Sequence, residues 1–339
     1  MNGDIQVKFR QLKAIKLKNM TELIDVLPGI ELPVGAVSEE LSKIWGGNEE
    51  NALSEFRASQ MNLVLHFGRT VSPLEVKARF EVAVRFAQRY PSRIIVLCPF
   101  YKDNQPMQAK LFSQCFIGDS HREMCCCEAL ILGFSSENNG FLFNQVSVWL
   151  ESDLPIYHWF SEVRADRVVK YFDHLLKRVH RIVFDSNIES YPIRDLPWPN
   201  SKKVVDLARA RLLPVRQAIG QYLSGIPFEL LRKELCSIYV YFVPKRKGDA
   251  FHLMQWLLHS LKCIEDTSID SKLIELKPNS NKSLCFEMIY DHGQSIQWTQ
   301  FKDTSISHLS QSLGGTDKEF SIQIKPLLPE QELSEAFYF

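Results

Sequence analysis

The feature that most constrains the fold is a strand–helix–strand pattern over residues 61–100. Residues 62–67 form a short apolar run that predicts a strand, and residues 72–75, Ser-Pro-Leu-Glu, predict a capped helix start with proline in the first turn. Apolar residues then recur at helical spacing as far as Pro91, and residues 93–100 form the nearly continuous apolar run expected of a central strand. A crossover helix between two strands favours parallel pairing, so this region predicts one β-α-β unit.

Strands and helices continue to alternate beyond this unit. The predicted segments are a hairpin at the sheet edge over 108–117 and 124–134, a helix over 141–150, a strand over 156–160, a helix over 166–176 capped by Asp166, a strand over 181–184, and two short helices over 201–211 and 215–223 that are broken at Pro214. This order is typical of an α/β fold with an open, mixed, mainly parallel sheet and helices on both faces.

The pattern changes after residue 228. Residues 235–243, 284–298 and 320–324 show the alternation of strands, and an amphipathic helix is predicted from Asp249 to Lys262. We therefore expect a smaller α+β lobe with three to five antiparallel strands. The predicted domains are an N-terminal arm with short helices over 1–60, an α/β domain over 61–228, and the α+β lobe over 232–339.

Composition excludes several classes of function. The 339 residues include 40 Lys and Arg against 40 Asp and Glu, so bulk positive charge does not attract a nucleic acid. The longest strongly apolar run, residues 94–100, is too short to cross a bilayer. The basic amino terminus has no continuous apolar stretch behind it, which is unlike a secretory signal. We therefore expect a cytoplasmic protein that has neither a nucleic acid nor a membrane as its partner.

The eight cysteines are expected to be reduced thiols, because a chain of this length needs no disulfide framework in the cytoplasm. Five of them lie in apolar stretches and are expected to pack as small core residues: Cys98, Cys115, Cys236, Cys263 and Cys285. No Cys-x-x-Cys pair and no zinc-type spacing occurs in the chain, so no metal site is predicted.

Cys125, Cys126 and Cys127 are consecutive on a predicted strand, so their side chains point to alternating faces and at least one differs in environment. One interpretation is a redox-sensitive thiol. The other is that strand cysteines pack in the core beside the carboxylate of Glu128, which would raise the pKa of a neighbouring thiol.

No motif of catalysis or of nucleotide binding is present. The first strand-to-helix turn, residues 67–72, contains a single glycine, so neither a dinucleotide nor a triphosphate is the expected ligand. An anion site at the helix start by Ser72 remains an alternative. The string closest to a serine-hydrolase elbow, residues 118–122, lacks its second glycine. We predict no catalytic residue and no cofactor.

Some polar residues fall at positions that matter for the sheet. His66, His158 and His180 lie within or beside predicted strands, where hydrogen-bonded structural histidines are usual. Charged residues also lie at strand ends and on the short helices that follow: Arg93, Arg181, Asp185, Asp206, Arg211 and Arg216. Such charges are either a salt-bridge network that fixes a loop or part of the crevice where an open α/β sheet binds its ligand.

Six motifs in order resemble the OpcA family of glucose-6-phosphate dehydrogenase assembly proteins. They are NLVLHFG from residue 62, RYPSRIIVLCP from residue 89, CCE from residue 126, DLPIYHWF from residue 153, RIVFDS from residue 181 and DLARARLLPVR from residue 206. The resemblance covers residues 61–228 and is weaker beyond. The chain departs from the family at Arg209 and Val215, where tryptophan is usual.

The resemblance implies a non-enzymatic protein that assists the assembly or the allosteric activation of glucose-6-phosphate dehydrogenase, with thioredoxin as a further partner. The predicted partner-binding residues are Glu128, Trp159, Asp185, Asp206, Arg211 and Arg216. Cys125, Cys126 and Cys127 are the candidate redox input. The alternative function is a sugar-phosphate sensor or enzyme that holds the phosphate with arginines at strand ends.

Overall fold

A computed structural model describes residues 21–46, 59–117, 124–135, 139–150, 153–264, 266 and 268–339. Most of the predicted arm, together with the turn at 118–122, lies outside these residues. The described chain forms two compact units. The first contains the residues up to Phe184 and residues 190–204, and the second contains residues 185–189 and 205–339.

An eight-stranded sheet is the centre of the first unit, with strand order β1-β4-β5-β3-β2-β6-β7-β8. The strands are β1 (Ile30–Leu32), β2 (Met61–Phe67), β3 (Ser92–Pro99), β4 (Gln108–Ile117), β5 (Met124–Phe134), β6 (Ile156–Ser161), β7 (Arg181–Phe184) and β8 (Val204–Asp206). The strands from β5 to β7 along this order pair in parallel, whereas β4 is antiparallel to both β1 and β5. The predicted open, mainly parallel sheet with an antiparallel edge is confirmed.

Helices cover both faces of this sheet. They are α1 (Val37–Gly46), α2 (Pro73–Arg89), α3 (Asn139–Trp149) and α4 (Ala165–Tyr171). Side chains of α1, α3 and α4 pack with Val64 and Phe160 in one cluster. The neighbours of Val64 along β2, Leu63 and Leu65, are fully buried and point to the opposite face, because side chains alternate along a strand.

The predicted β-α-β unit is present as β2, α2 and β3. The Ser72 hydroxyl accepts a hydrogen bond from Glu75 N at 3.3 Å, and the Glu75 carboxylate accepts one from Ser72 N at 3.1 Å. This reciprocal pair, together with Pro73 in the first turn, fixes the helix start. All residues of β2 and β3 are buried, which agrees with two central strands covered on both faces.

The second unit contains a six-stranded sheet with strand order β10-β9-β11-β12-β13-β14. These strands are β9 (Leu235–Phe242), β10 (Asp270–Glu275), β11 (Lys282–Tyr290), β12 (Ser295–Phe301), β13 (Ile306–Leu313) and β14 (Thr316–Gln323). The helices of this part are α5 (Leu207–Arg211), α6 (Leu213–Leu223), α7 (Phe228–Arg232), α8 (Lys247–Ser260) and α9 (Pro329–Tyr338). Phe286 and Trp298 pack with Leu253 and Leu257 of α8 in its core.

The expected count of three to five antiparallel strands in the C-terminal lobe is wrong. The sheet has six strands, and β10 pairs in parallel with β9. The edge strand β10 is mostly exposed and polar. An edge strand of this kind lacks the apolar alternation from which strands are predicted.

Three helix boundaries also differ from the prediction. Helix α4 ends at Tyr171, and its N-cap is Arg164, not Asp166, which lies in the first turn. The predicted helix over 201–211 is strand β8 followed by the short α5, with Asp206 as N-cap. Pro214 lies in the first turn of α6, where a missing N–H costs no hydrogen bond.

Candidate functional site

Three of the predicted partner-binding residues meet in the second unit. Asp185 follows the end of β7, Asp206 caps the start of α5, and Arg211 ends α5. Two residues that the sequence analysis did not single out complete the group: Asp249 in the first turn of α8, and Glu332 in the first turn of α9. We call these five residues, with Arg246 and His252, the Arg211 network.

Arg211 lies at the centre of the network. Its guanidinium donates to Asp185 Oδ2 at 2.6 Å, to Asp249 Oδ1 at 3.2 Å, and to both carboxylate oxygens of Glu332 at 3.0 Å each. The forked contact with Glu332 is the bidentate geometry in which arginine binds carboxylates most strongly. These bonds join the chain after β7 to the first turns of α8 and α9.

Glu332 is an acid of the network with a strongly raised pKa. Burial raises the pKa of Glu332 to about 7, and the nearby carboxylates of Asp185 and Asp249 add to this effect, whereas Arg211 opposes it. Three carboxylates therefore share the field of one guanidinium. The raised pKa brings the protonation of Glu332 close to neutral pH.

Asp206 has a separate set of partners. Its Oδ1 accepts hydrogen bonds from Ser186 N at 3.1 Å and Ala208 N at 3.0 Å, and its Oδ2 lies 2.9 Å from His252 Nε2. Burial raises the pKa of Asp206, but the hydrogen bonds from His252 and Ser186 outweigh it, so that the pKa is lowered. Asp206 thus links the loop at 186 to α5 and α8.

Asn187 and Gly248 bring this loop against the start of α8. Asn187 Oδ1 accepts from Gly248 N at 2.8 Å, and its amide nitrogen donates to Asp249 Oδ1 at 2.9 Å. A Cβ atom at Gly248 would lie 2.0 Å from Ser186 Oγ, so a larger residue here would require the Ser186 side chain to move. The string Gly248-Asp249 after a basic run is the one sequence signal that could have suggested such a close contact.

The chemistry of this arrangement favours positioning over catalysis. Arg246 donates to Asp249 Oδ2 at 2.7 Å and to Ser283 Oγ at 3.0 Å, so both arginines of the network have acceptors from the protein itself. A phosphate would have to displace carboxylates from Arg211. Of the two interpretations left open by the sequence, the salt-bridge network that fixes a loop describes these contacts.

Arg216 lies apart from the network, on α6. It donates to the carbonyl of Arg209 at 3.3 Å, and its Nε is buried with no hydrogen-bond partner among the described residues. Burial lowers the pKa of Arg216, and the neighbouring Arg209 adds to this. Arg216 is half-buried, so part of its side chain remains accessible to a partner.

Glu128 and Trp159 belong to the first unit. Glu128 on β5 is 3% exposed and forms an ion pair with Arg93, which also donates to the carbonyl of Trp149 at 3.2 Å. Trp159 on β6 is 5% exposed. Their side chains offer little surface to a partner, as do those of Asp185 and Asp206, and their role in binding stays a prediction.

The carboxyl ends of β2 and β6, where an open α/β sheet binds ligands, are occupied by the protein itself. Gly68 N donates to Ser161 O at 2.8 Å, and a Cβ at Gly68 would lie 1.7 Å from the Glu162 carbonyl oxygen. Arg79 pairs with Glu162 at 3.4 Å. The Ser72 helix start, the alternative anion site, already holds the Glu75 carboxylate.

The predicted structural role of His66, His158 and His180 is confirmed. His66 Nε2 and His158 Nδ1 are hydrogen-bonded, and His180 Nδ1 accepts from Ile156 N at 3.0 Å. His252, a residue that the sequence analysis did not single out, binds Asp206. A motif search does not find this contact, because the two residues lie 46 positions apart in the sequence.

The cysteines only partly follow expectation. Cys98, Cys263 and Cys285 are buried, but Cys236 and Cys115 are exposed, so the prediction of a core position is wrong for these two. Cys115 is disulfide-bonded, against the expectation of reduced thiols throughout. Cys127 is a buried free thiol. The side chains of Cys125 and Cys126 lie outside the described residues, so their redox role stays a prediction.

The described ranges contain neither a candidate metal site nor a candidate membrane span. No group of three or more His, Cys, Asp or Glu side chains there could hold a metal ion. None of the helices described has both the length and the apolar character needed to cross a membrane.

A family model matches part of this chain. Residues 83–197 match the family model described as "Glucose-6-phosphate dehydrogenase subunit N-terminal domain". This stretch begins within α2 and ends in the segment between β7 and β8. It includes Glu128, Trp159 and Asp185 of the predicted residues.

Two curated relatives carry the name OxPP cycle protein OpcA. The protein of Synechocystis is 32% identical over 148 residues, which are 41% of this chain and 30% of the relative. The protein of Synechococcus elongatus is 25% identical over 228 residues, which are 60% of this chain and 48% of the relative. The matches therefore span less than half the length of either relative.

Among solved structures, glucose-6-phosphate 1-dehydrogenase from Mycobacterium avium aligns over 83% of this chain and 87% of its own, at 11% identity and a TM-score of 0.44. A score of this size supports no argument about fold or function.

Proposed function

We propose that this chain is a member of the OpcA family and that it assists the assembly or allosteric activation of glucose-6-phosphate dehydrogenase. The family-model match over residues 83–197 and the two curated relatives support this proposal. The chain would thereby support the oxidative pentose phosphate pathway and the supply of NADPH. The dehydrogenase is its proposed partner, and its proposed location is the cytoplasm.

The match of residues 83–197 to a glucose-6-phosphate dehydrogenase subunit domain carries this proposal. The shared name of the two relatives, which refers to the OxPP cycle, supports the same pathway. Activation then follows from differential binding: the chain favours the active oligomer of the dehydrogenase if it contacts that state better than the alternatives.

A non-enzymatic role is supported by the contacts at two possible ligand sites, the arginines of the Arg211 network and the carboxyl ends of β2 and β6. Arg211 and Arg246 are engaged by carboxylates, and the ends of β2 and β6 are closed by the backbone at Gly68 and Glu162. The alternative function, a sugar-phosphate sensor or enzyme, would need arginines available to a phosphate.

The test measures the activity and the mass of the host's glucose-6-phosphate dehydrogenase with and without this purified protein, by kinetics and light scattering on one sample. We expect a higher kcat/KM together with a shift in mass. If neither kcat/KM nor the mass changes, the proposal is contradicted. A thermal-shift screen with glucose 6-phosphate, 6-phosphogluconate and NADP tests the alternative, since only a direct ligand raises the Tm of the protein alone.

The partner-binding residues divide into two roles in this proposal. Asp185, Asp206 and Arg211 position the loop at 185–189 and the helices α5, α8 and α9, and the half-buried Arg216 contacts the partner. Arg216→Ala should weaken activation at unchanged Tm, and Trp159→Ala should lower both, because Trp159 is buried in the first unit. Unchanged folding and activation in both variants contradict the assignment.

Redox control through Cys125, Cys126 and Cys127, with thioredoxin as reductant, is a separate part of the proposal. Activation of the dehydrogenase should differ before and after oxidation of this protein, with thiol titration on the same samples. Equal activation in both states, despite a measured loss of thiols, removes redox control.

A further inference from the structure

Two arginines of the second unit lie together without an acidic partner. Arg209 is in the last turn of α5, and Arg216 is on α6, the helix that follows. Arg216 Nη2 donates to the carbonyl oxygen of Arg209 at 3.3 Å. In the described part of the chain this is the one hydrogen bond of the Arg216 guanidinium, and neither arginine has a carboxylate within ion-pair distance.

Arg211 is the contrast on the same short helix. Its guanidinium is paired with the carboxylates of Asp185, Asp249 and Glu332. These internal acids compensate its charge, so an external anion gains little by approaching it. Arg209 and Arg216 retain this capacity, because among the described residues no carboxylate pairs with either of them.

The charge of Arg216 is poorly compensated in the free chain. Its Nε is buried and has no hydrogen-bond partner among the described residues. Burial lowers the pKa of Arg216, and the positive charge of Arg209 lowers it further, whereas Glu335 acts in the opposite direction. A buried donor without an acceptor and a charge without a counter-charge both cost stability. A ligand that supplies the counter-charge would offset this cost.

The guanidinium groups remain within reach of such a ligand. Arg209 is exposed and Arg216 is half-buried. The bond to the Arg209 carbonyl holds the Arg216 guanidinium in place, so little side-chain freedom is lost when an anion binds. The anion would contact the Nη atoms, since the Nε atom is buried.

The local charge indicates which anion fits. The two arginines carry two positive charges, and Glu335 on α9, the acid that acts on Arg216, carries one negative charge. A single positive charge remains. A carboxylate carries one negative charge, and its two oxygens can accept N–H groups from both guanidinium groups. A phosphate monoester, with a charge of about −1.5 to −2 at pH 7, would exceed this balance.

We propose that Arg209 and Arg216 together bind one carboxylate, an Asp or Glu side chain on the surface of the partner. This rests on the proposed function, in which the partner is glucose-6-phosphate dehydrogenase. The proposal adds Arg209 to the predicted partner-binding residues and defines the group that Arg216 contacts.

Arg216→Met separates a binding role from a structural one. Methionine keeps an apolar stem of similar length and removes the uncompensated charge and the orphaned donor, so the Tm of the free chain should stay the same or rise. The Kd for the dehydrogenase, measured by light scattering with the full chain, should increase about tenfold or more at low salt. A lower Tm with an unchanged Kd would make Arg216 a structural residue and overturn the proposal.

Arg209→Met tests the second contact. Its Kd should increase about threefold or more at low salt, and this effect should shrink as salt is added. Lys318→Met, which removes one positive charge from exposed β14 of the same unit, should bind like the wild type. If both arginines bind the same carboxylate, the double variant should weaken binding by less than the product of the two single effects. Two effects that multiply fully would show separate contacts and overturn the shared site.

Inorganic phosphate is the competing source of an anion. In a thermal-shift measurement on the free chain, phosphate should raise the Tm of the wild type no more than that of Arg216→Met. A rise that Arg216→Met abolishes would assign the site to free phosphate and overturn the proposal.

Failure of this proposal is distinct from failure of the proposed function. If the complex forms and both single variants bind like the wild type, the carboxylate site is overturned and the proposed function stands. If the wild-type chain forms no complex, the proposed function fails and this proposal with it. Should Arg216→Met unfold, as circular dichroism would reveal, the exposed Arg209→Met decides.

Discussion

His66 Nε2 and His158 Nδ1 lie 2.8 Å apart on the neighbouring parallel strands β2 and β6, with both rings fully buried. One ring donates to the other, while His66 Nδ1 and His158 Nε2 have no hydrogen-bond partner in the described part of the chain. Burial lowers the pKa of His158 to about 3 and that of His66 well below its usual value. The pair is therefore neutral and cannot take up a proton without disturbing the core.

We expect this pair to make the fold sensitive to acid. In the unfolded chain both histidines bind protons near pH 6.5, whereas the folded pair does not, so stability falls as the pH drops from 6.5 towards 3. The loss approaches ~1.4 kcal/mol per pH unit for each histidine. The double variant His66→Leu/His158→Leu should flatten this dependence, as measured by urea unfolding at pH 7.5 and 5. His259→Gln, at an exposed position, is the control. If the free energy of unfolding of the double variant falls with pH as steeply as that of the wild type, the histidine pair is not the cause of the acid sensitivity.

Replacing Arg211 should cost far more than replacing an exposed arginine. Arg211→Met leaves Asp185, Asp249 and Glu332 without their shared cation, so we expect a loss of about 3–5 kcal/mol in the free energy of unfolding. Arg232→Met, which breaks a more exposed pair with Asp266, should cost less than about 1 kcal/mol. Denaturant unfolding measures the change in the free energy of unfolding for each variant. If Arg211→Met costs no more than Arg232→Met, the network contributes no more stability than an exposed ion pair.

Glu332 should give stability a pH dependence of the opposite sign to that of the histidines. Its pKa in the folded chain, about 7, is above its ordinary value of 4.5, so the folded state holds the extra proton between these pH values. Stability contributed by this group is therefore present at pH 4.5 and is lost as the pH rises through 7, with a slope of at most ~1.4 kcal/mol per unit. Glu332→Gln should remove this slope.

The measurement is the free energy of unfolding of the wild type and of Glu332→Gln at pH 5, 6, 7 and 8. Because the histidine pair acts in the opposite direction between pH 4.5 and 6.5, the difference between the two proteins isolates Glu332. Glu330→Gln, on the same helix turn, serves as the control. A difference that does not change with pH would mean that Glu332 is ionised throughout.

Gly68→Ala should destabilise the first unit severely. Its new Cβ would meet the Glu162 carbonyl, a backbone atom that cannot rotate away, so we expect a loss of about 3 kcal/mol or more. Gly140→Ala in α3 meets nothing within 4 Å and should be neutral or stabilise by up to about 1 kcal/mol. Thermal unfolding of both variants tests this, and a normal Tm for Gly68→Ala would show that the ends of β2 and β6 can separate.

The sequence alone determined the central part of the first sheet. Strands β2, β3 and β7 are mostly apolar and α2 carries a cap at Ser72, so local patterns identify these elements. Local signals of this kind depend on neighbours a few residues apart. The edge strand β10 was missed because its polar sequence carries no such pattern.

Only the tertiary structure decided what the charged residues do. Asp185, Asp206 and Arg211 were identified from their positions at strand and helix ends. Those positions are compatible both with a binding crevice and with an internal ion-pair network. The choice depends on Asp249 and Glu332, which lie 38 and 121 residues from Arg211 and reach it only when α8 and α9 pack. Ion pairs form between atoms a few ångströms apart in space, and separation along the chain carries no signal of that distance.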